Sequence, residues 1–113
     1  MTSTLTDREV VLRAIDILKK GWCKHYIAID CTGGLTNELS VGAVAWCALG
    51  AIGKALCNPD ASTPFPDNRV MNIQHRFQCI YNTCLSDFND GESSVEPVIA
   101  RLRDFASKLE ISP

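Results

Sequence analysis

A mainly α-helical, compact four-helix single domain is what this 113-residue sequence predicts. Three observations lead there. Apolar residues recur at i, i+3, i+4 and i+7 in separate stretches, the spacing of one helical face. Cap and breaker residues punctuate the gaps between those stretches: Gly21, Asn58-Pro59 and Asn89-Asp90-Gly91. The hydrophobic share of 46% and the charged share of 21% suit one ordinary globular core.

Helix one is expected over residues 7–20. Thr6-Asp7-Arg8-Glu9 reads as a capping box, in which the hydroxyl and the carboxylate each satisfy a free backbone amide. Val10, Val11, Ala14, Ile15, Ile17 and Leu18 form its buried side, and Lys19-Lys20 complement the helix end before Gly21. Residues 22–39 read as irregular. His25 to Asp30 alternates partly like a strand and Thr32-Gly33-Gly34 reads as a turn, which allows at most a short two-stranded ribbon between helices one and two.

The stretch from Ser40 to Cys57 reads as helix two, the central and least exposed one. Val41, Val44, Ala45, Ala48, Leu49, Ile52, Ala55 and Leu56 mark one face, and Gly42, Ala43, Trp46, Gly50 and Gly53 the other. Each glycine costs about 1 kcal/mol of helix propensity against alanine, which implies a close approach at Gly50 by a neighbouring helix. Asn58-Pro59-Asp60 ends the segment, and residues 61–66 read as a proline-broken loop. Helix three is expected over 68–88 after Asp67 as N-cap, with Val70, Ile73, Phe77, Ile80, Tyr81, Cys84, Leu85 and Phe88 inward. After the Asn89-Asp90-Gly91 turn, Ser93 or Ser94 caps helix four over 95–109. Its stripe is Val95, Val98, Ile99, Leu102, Phe105, Ala106 and Leu109, and Pro97 is tolerated in the first turn, where amides lack partners. One domain over 1–113 follows, with 1–6 and 110–113 as flexible ends.

Three pieces in this order carry a resemblance: Leu18-Lys19-Lys20-Gly21-Trp22, Trp46-Cys47-Ala48-Leu49-Gly50-Ala51, and Phe88-Asn89-Asp90 before a capped final helix. Together they are similar to an uncharacterised domain-of-unknown-function family of small bacterial and phage proteins. The resemblance spans most of the chain and implies a helical fold with no established activity.

Composition narrows the function. Net charge is −2 and no dense Lys/Arg stripe appears, which argues against nucleic-acid capture by clustered cations. The N-terminal residues form no secretory or transit signal, and Val41–Leu56 is shorter than the ~20 residues a bilayer needs, so a cytoplasmic, non-membrane protein is expected. In that compartment the six cysteines read as free thiols, with Cys47, Cys79 and Cys84 as small hydrophobes on helices.

Four constellations could carry chemistry. Cys47 could act as a nucleophile with His25 or His75 as its base, although a mid-helix position would deny it the helix end that stabilises a thiolate. Asp30-Cys31-Thr32-Gly33-Gly34 resembles the Asp-Cys-Ser-Gly nucleophile motif of small cysteine peptidases over those few residues, and a glycine turn explains it better. His75, Cys79 and Cys84, or Cys23, His25 and Cys31, offer zinc-type donors but no Cys-x-x-Cys pair, so neither metal nor cofactor is assigned. Asn89 and Asp90, with Trp22 and Trp46 beside them, could form a polar ligand site at the helix ends or could simply cap and pack. The leading reading is a small accessory protein, not an enzyme, that binds a partner protein or a small polar ligand at Trp22, Trp46, Asn89 and Asp90. The family resemblance adds modulation of a phage or host pathway as an association. A cysteine-dependent hydrolase or transferase using Cys47 or Cys31 is the alternative, and a homo-oligomer a further one.

Overall fold

Thr6 sets the start of the first helix as the sequence implies. Its Oγ1 accepts from the Glu9 amide at 3.1 Å, and Glu9 Oε1 accepts from the Thr6 amide at 2.9 Å. The structure, a computed structural model, describes residues 6–36, 41–56 and 67–109. In chain order its elements are α1 (Asp7–Lys20), β1 (Ala28–Asp30), β2 (Leu35–Thr36), β3 (Ala43–Trp46), α2 (Ala48–Leu56), α3 (Asp67–Tyr81), α4 (Leu85–Gly91) and α5 (Val95–Leu109). Among the described residues the fold is therefore mostly helical, with five helices and a small antiparallel sheet.

The core forms where α1 lies against α5 and α2. Val10, Val11, Ala14, Ile15 and Leu18 meet Val98, Leu102, Phe105 and Leu109, all buried, together with Ala48, Ala51, Ile52 and Ala55. From α3 comes Phe77, whose ring packs edge-on to Phe105 at 5.3 Å between centroids. Asp7 ties the start of α1 to α3 by accepting from Arg69 Nη2 at 3.0 Å and from Arg76 Nη1 at 2.8 Å.

Two expected helices are corrected. The first half of the expected helix two is a turn at Val41-Gly42 followed by strand β3, and α2 starts only at Ala48. Val41 is fully exposed and Val44 is 46% exposed, so neither belongs to a buried helical stripe. A continuous apolar run carries no polar residue to distinguish a period of 3.6 from one of 2, and tertiary pairing decides the matter. Here β3 pairs with β1 through Ala28↔Trp46 and Ile29↔Ala45, and bridges Trp22 on its other side. The ribbon is accordingly three-stranded, in the order β2-β1-β3. Its β1–β2 turn is the Asp30–Gly34 segment, where Asp30 Oδ1 accepts from the amides of Thr32 and Gly34, both at 2.9 Å.

The expected helix three breaks in two. Asn82 takes φ +60°, a left-handed conformation that asparagine tolerates, and a separate helix, α4, starts at Leu85. The apolar stripe runs on across this break, which hid it, and Ile80 is exposed rather than inward. Asn89-Asp90-Gly91 consequently lies in the last turn of α4, not in a free turn. The expected helix stop at Asn58-Pro59 and the loop at 61–66 lie outside the described residues.

A close approach does occur at Gly50, but its partner is main chain rather than a helix. A Cβ at Gly50 would collide with the Ile27 carbonyl oxygen, and one at Gly21 with the Val44 carbonyl oxygen. Gly50→Ala should therefore cost about 1–3 kcal/mol in urea unfolding even though alanine improves helix propensity. An equal or higher urea midpoint would show that the 23–27 loop yields freely.

Candidate functional site

Asn89 is the one buried polar side chain among the described residues, with 0% of its surface exposed. Its Oδ1 accepts from the Trp22 indole Nε1 at 2.7 Å and from the Ala48 amide at 3.0 Å. Its Nδ2 donates to the Cys23 carbonyl and to Asp90 Oδ1, both at 3.1 Å. That uses both hydrogens and both oxygen lone pairs of the amide. The Ala48 amide opens α2 and has no partner within that helix, so α4 caps α2 from a distance.

Cys47 completes the cap. It lies immediately before α2, not in mid-helix, and its Sγ accepts from the Gly50 amide at 3.3 Å. Burial pushes the Cys47 thiol up, and the nearby Asp90 charge adds to that, against the pull of the Gly50 and Leu49 amides. Cys23, also buried, is pushed up to about 11 by burial and then by Cys47 and Asp90, while its Sγ donates to the Tyr26 carbonyl at 3.4 Å.

Asp90 faces the other way, toward the 23–27 loop. Its Oδ1 accepts from the His25 amide at 2.8 Å, and its Oδ2 sits 3.5 Å from His25 Nδ1. His25 holds φ +72°, uncommon for a residue with a side chain. Burial works against the Asp90 charge, but the His25 amide, the Asn89 amide, the His25 ring and Lys24 outweigh it and hold the carboxyl below its ordinary value. Beside this pair opens a cleft of about 120 Å³. His25, Cys47, Ser86 and Asp90 give it polar groups, Ile27 and Leu49 an apolar wall, and Tyr26 an aromatic edge.

The structure thus brings Trp22, Asn89 and Asp90 together and joins Trp46 to them through main chain: the Cys23 amide donates to the Trp46 carbonyl at 3.1 Å, and the Trp46 amide to the Gly21 carbonyl at 3.1 Å. Of the four, Asp90 borders the cleft, while the Asn89 amide and the Trp22 indole N–H are spent on each other and on the fold. His25, offered by the sequence as a base for Cys47, shares the cleft with it. Cys31 sits exposed in the β1–β2 turn, and His75 lies 3.6 Å from Cys79 on an exposed face of α3. Among the described residues no three His, Cys, Asp or Glu side chains converge as a metal-binding group. Nor is any described helix long and apolar enough to cross a membrane. Ser86 and the His25–Asp90 pairing were not foreseen, because contacts between residues 65 apart leave no trace in local spacing.

A family model described as a family of unknown function (DUF6197) matches residues 2–108. The chain belongs to this family. No curated protein and no solved structure matches it. In this DUF6197 member the cleft opens beside Asp90, with the buried Asn89 amide behind it.

Removing the amide should be expensive. Asn89→Ala leaves the Trp22 indole, the Ala48 amide and the Cys23 carbonyl unpaired, so about 3–5 kcal/mol should be lost in urea unfolding. Trp22→Phe removes one donor alone and should cost about 1–2 kcal/mol. Equal costs for the two variants would refute the shared clamp.

Asp90 gives a pH test. Its folded value is depressed, so its contribution to stability is present above the unfolded carboxylate value, near ~3.9, and is lost as pH falls through the lower folded one. Urea midpoints of the native chain should therefore fall more steeply in that acid window than those of Asp90→Asn. Parallel curves would mean that the carboxylate gains nothing from folding.

Proposed function

We propose that this protein works by binding, and that the cleft beside Asp90 takes a small cationic or hydrogen-bond-donating group. The observation that carries this reading is the Asp90 carboxylate. It is held charged and fixed by the His25 and Asn89 amides, at the margin of a cleft whose other wall is Ile27 and Leu49. A fixed anion against an apolar wall selects a compact group with a donor at one end and hydrocarbon at the other. An ammonium fits that description, whether it belongs to a free amine or to a lysine side chain of a partner protein. Each carboxylate oxygen offers two acceptor sites, so Oδ2 can hold such a donor while it faces His25. Asn89 and Trp22 support this site from behind rather than touch the ligand.

Melting curves with ethanolamine and with a capped lysine derivative separate the two sources. Saturating ligand should raise Tm by about 4 °C for the native chain. Asp90→Asn keeps an oxygen for both amide donors, so its own Tm should stay within a few degrees while the ligand response disappears. Stabilisation by the lysine derivative alone points to a partner protein. Equal stabilisation of the native chain and Asp90→Asn would take Asp90 out of the site.

A further inference from the structure

We infer that Cys23 and Cys47 are a redox pair that closes into an intramolecular disulfide when the chain meets a small-molecule disulfide. The backbone holds the two in register. The Trp46 amide donates to the Gly21 carbonyl and the Cys23 amide to the Trp46 carbonyl, both at 3.1 Å, the hydrogen-bond pattern of a parallel bridge between Trp22 and Trp46. One step further along both chains stand Cys23 and Cys47. Neighbouring strands lie about 4.8 Å apart, inside the Cα separation of about 4.4–6.8 Å that a disulfide spans. Residues paired in this way carry their side chains to the same face, and both cysteines are buried. Burial and then the charges of Cys47 and Asp90 push the Cys23 thiol up to about 11, so each sulfur lies within the other's electrostatic reach.

At rest each sulfur has a weak partner. Cys23 Sγ donates to the Tyr26 carbonyl at 3.4 Å, and Cys47 Sγ accepts from the Gly50 amide at 3.3 Å. Turning each side chain to another staggered position exchanges these contacts for a covalent bond. Of the two, Cys47 lines the cleft, so it meets the reagent first. It loses its proton to water, its sulfur attacks one sulfur of the reagent, and the reagent's S–S bond breaks to release one thiolate, which takes up a proton. Cys23 then loses its proton and attacks the Cys47 sulfur of the mixed disulfide, which releases the second thiol. Two thiols of the chain are oxidised and one small disulfide is reduced to two thiols. Burial keeps both cysteines protonated, so the exchange is slow and excess thiol reverses it. The bond encloses the three-stranded sheet and staples the exit of α1 to the entry of α2, the two ends that Asn89 joins by hydrogen bonds. Oxidation thereby locks the frame of the cleft.

The test incubates the full native chain with hydroxyethyl disulfide near neutral pH and maps its peptides, without reduction, after trypsin and Glu-C. Lys24 separates Cys23 from Cys31, and Glu38 separates Cys31 from Cys47, so each linkage has its own peptide mass. The Cys23–Cys47 pair should dominate the linked products. The bonded chain should melt several degrees above the reduced one, and dithiothreitol should remove the difference. Cys23→Ser should instead retain a mixed disulfide on Cys47, because no second thiol resolves it. Hydroxyethyl disulfide carries no ammonium, so the outcome is independent of the ligand proposed for the cleft. Reagent found only on the exposed Cys31 and Cys79, or an unresolved mixed disulfide on Cys47 of the native chain, would overturn the pairing. So would a bonded chain that melts no higher than the reduced one, since the fold would then have opened to make the bond.

Discussion

The Asn89 side chain, carried on α4, ties the end of α1 to the start of α2. Through Trp22 and the Cys23 carbonyl it fixes the exit from α1, and through the Ala48 amide it fixes the entry to α2. Its neighbour Asp90 fixes the 23–27 loop. A buried amide left partly unpaired would cost more than an apolar side chain in its place, so the arrangement is stable only when every member is present. Remove the clamp and the loop, the start of α2 and the cleft lose their common reference together. The left-handed turn at Asn82 belongs to the same device, because it follows the end of α3 and precedes α4, the helix that carries the buried Asn89.

Local pattern made much of the helical framework legible. The Thr6 capping box, the α1 stripe and the α5 stripe appear where periodicity and caps place them. What stayed hidden was every feature decided by partners far away in the chain. Ala43-Val44-Ala45-Trp46 is equally apolar in either register, and it became a strand because β1 and Trp22 offered hydrogen bonds on both sides. Asn82-Thr83 interrupts an unbroken stripe, and the break is visible only as two weak helix formers in succession.

The site followed the same division. Trp22, Asn89 and Asp90 could be grouped because helix ends expose backbone groups that polar side chains satisfy. Their roles could not be separated without geometry. Asn89 turned inward and became fully spent, while Asp90, one residue on, turned toward the 23–27 loop and borders the cleft. Cys47 changed character for a related reason. Once β3 replaced the first half of the expected helix, the cysteine moved from a helix interior to the start of α2, at the edge of the cleft.

The contacts at Gly21 and Gly50 bear on how such a cleft can vary among relatives. At both positions main chain meets main chain with no side chain between them. The loop that carries His25 and Tyr26 is therefore held in part by main-chain contact, alongside the Asp90 carboxylate and the buried Cys23. Tyr26 is exposed on that loop, and exchanging it changes the lining of the opening without touching the contacts at Gly21 and Gly50. The frame and the residues that line the opening can therefore be changed separately.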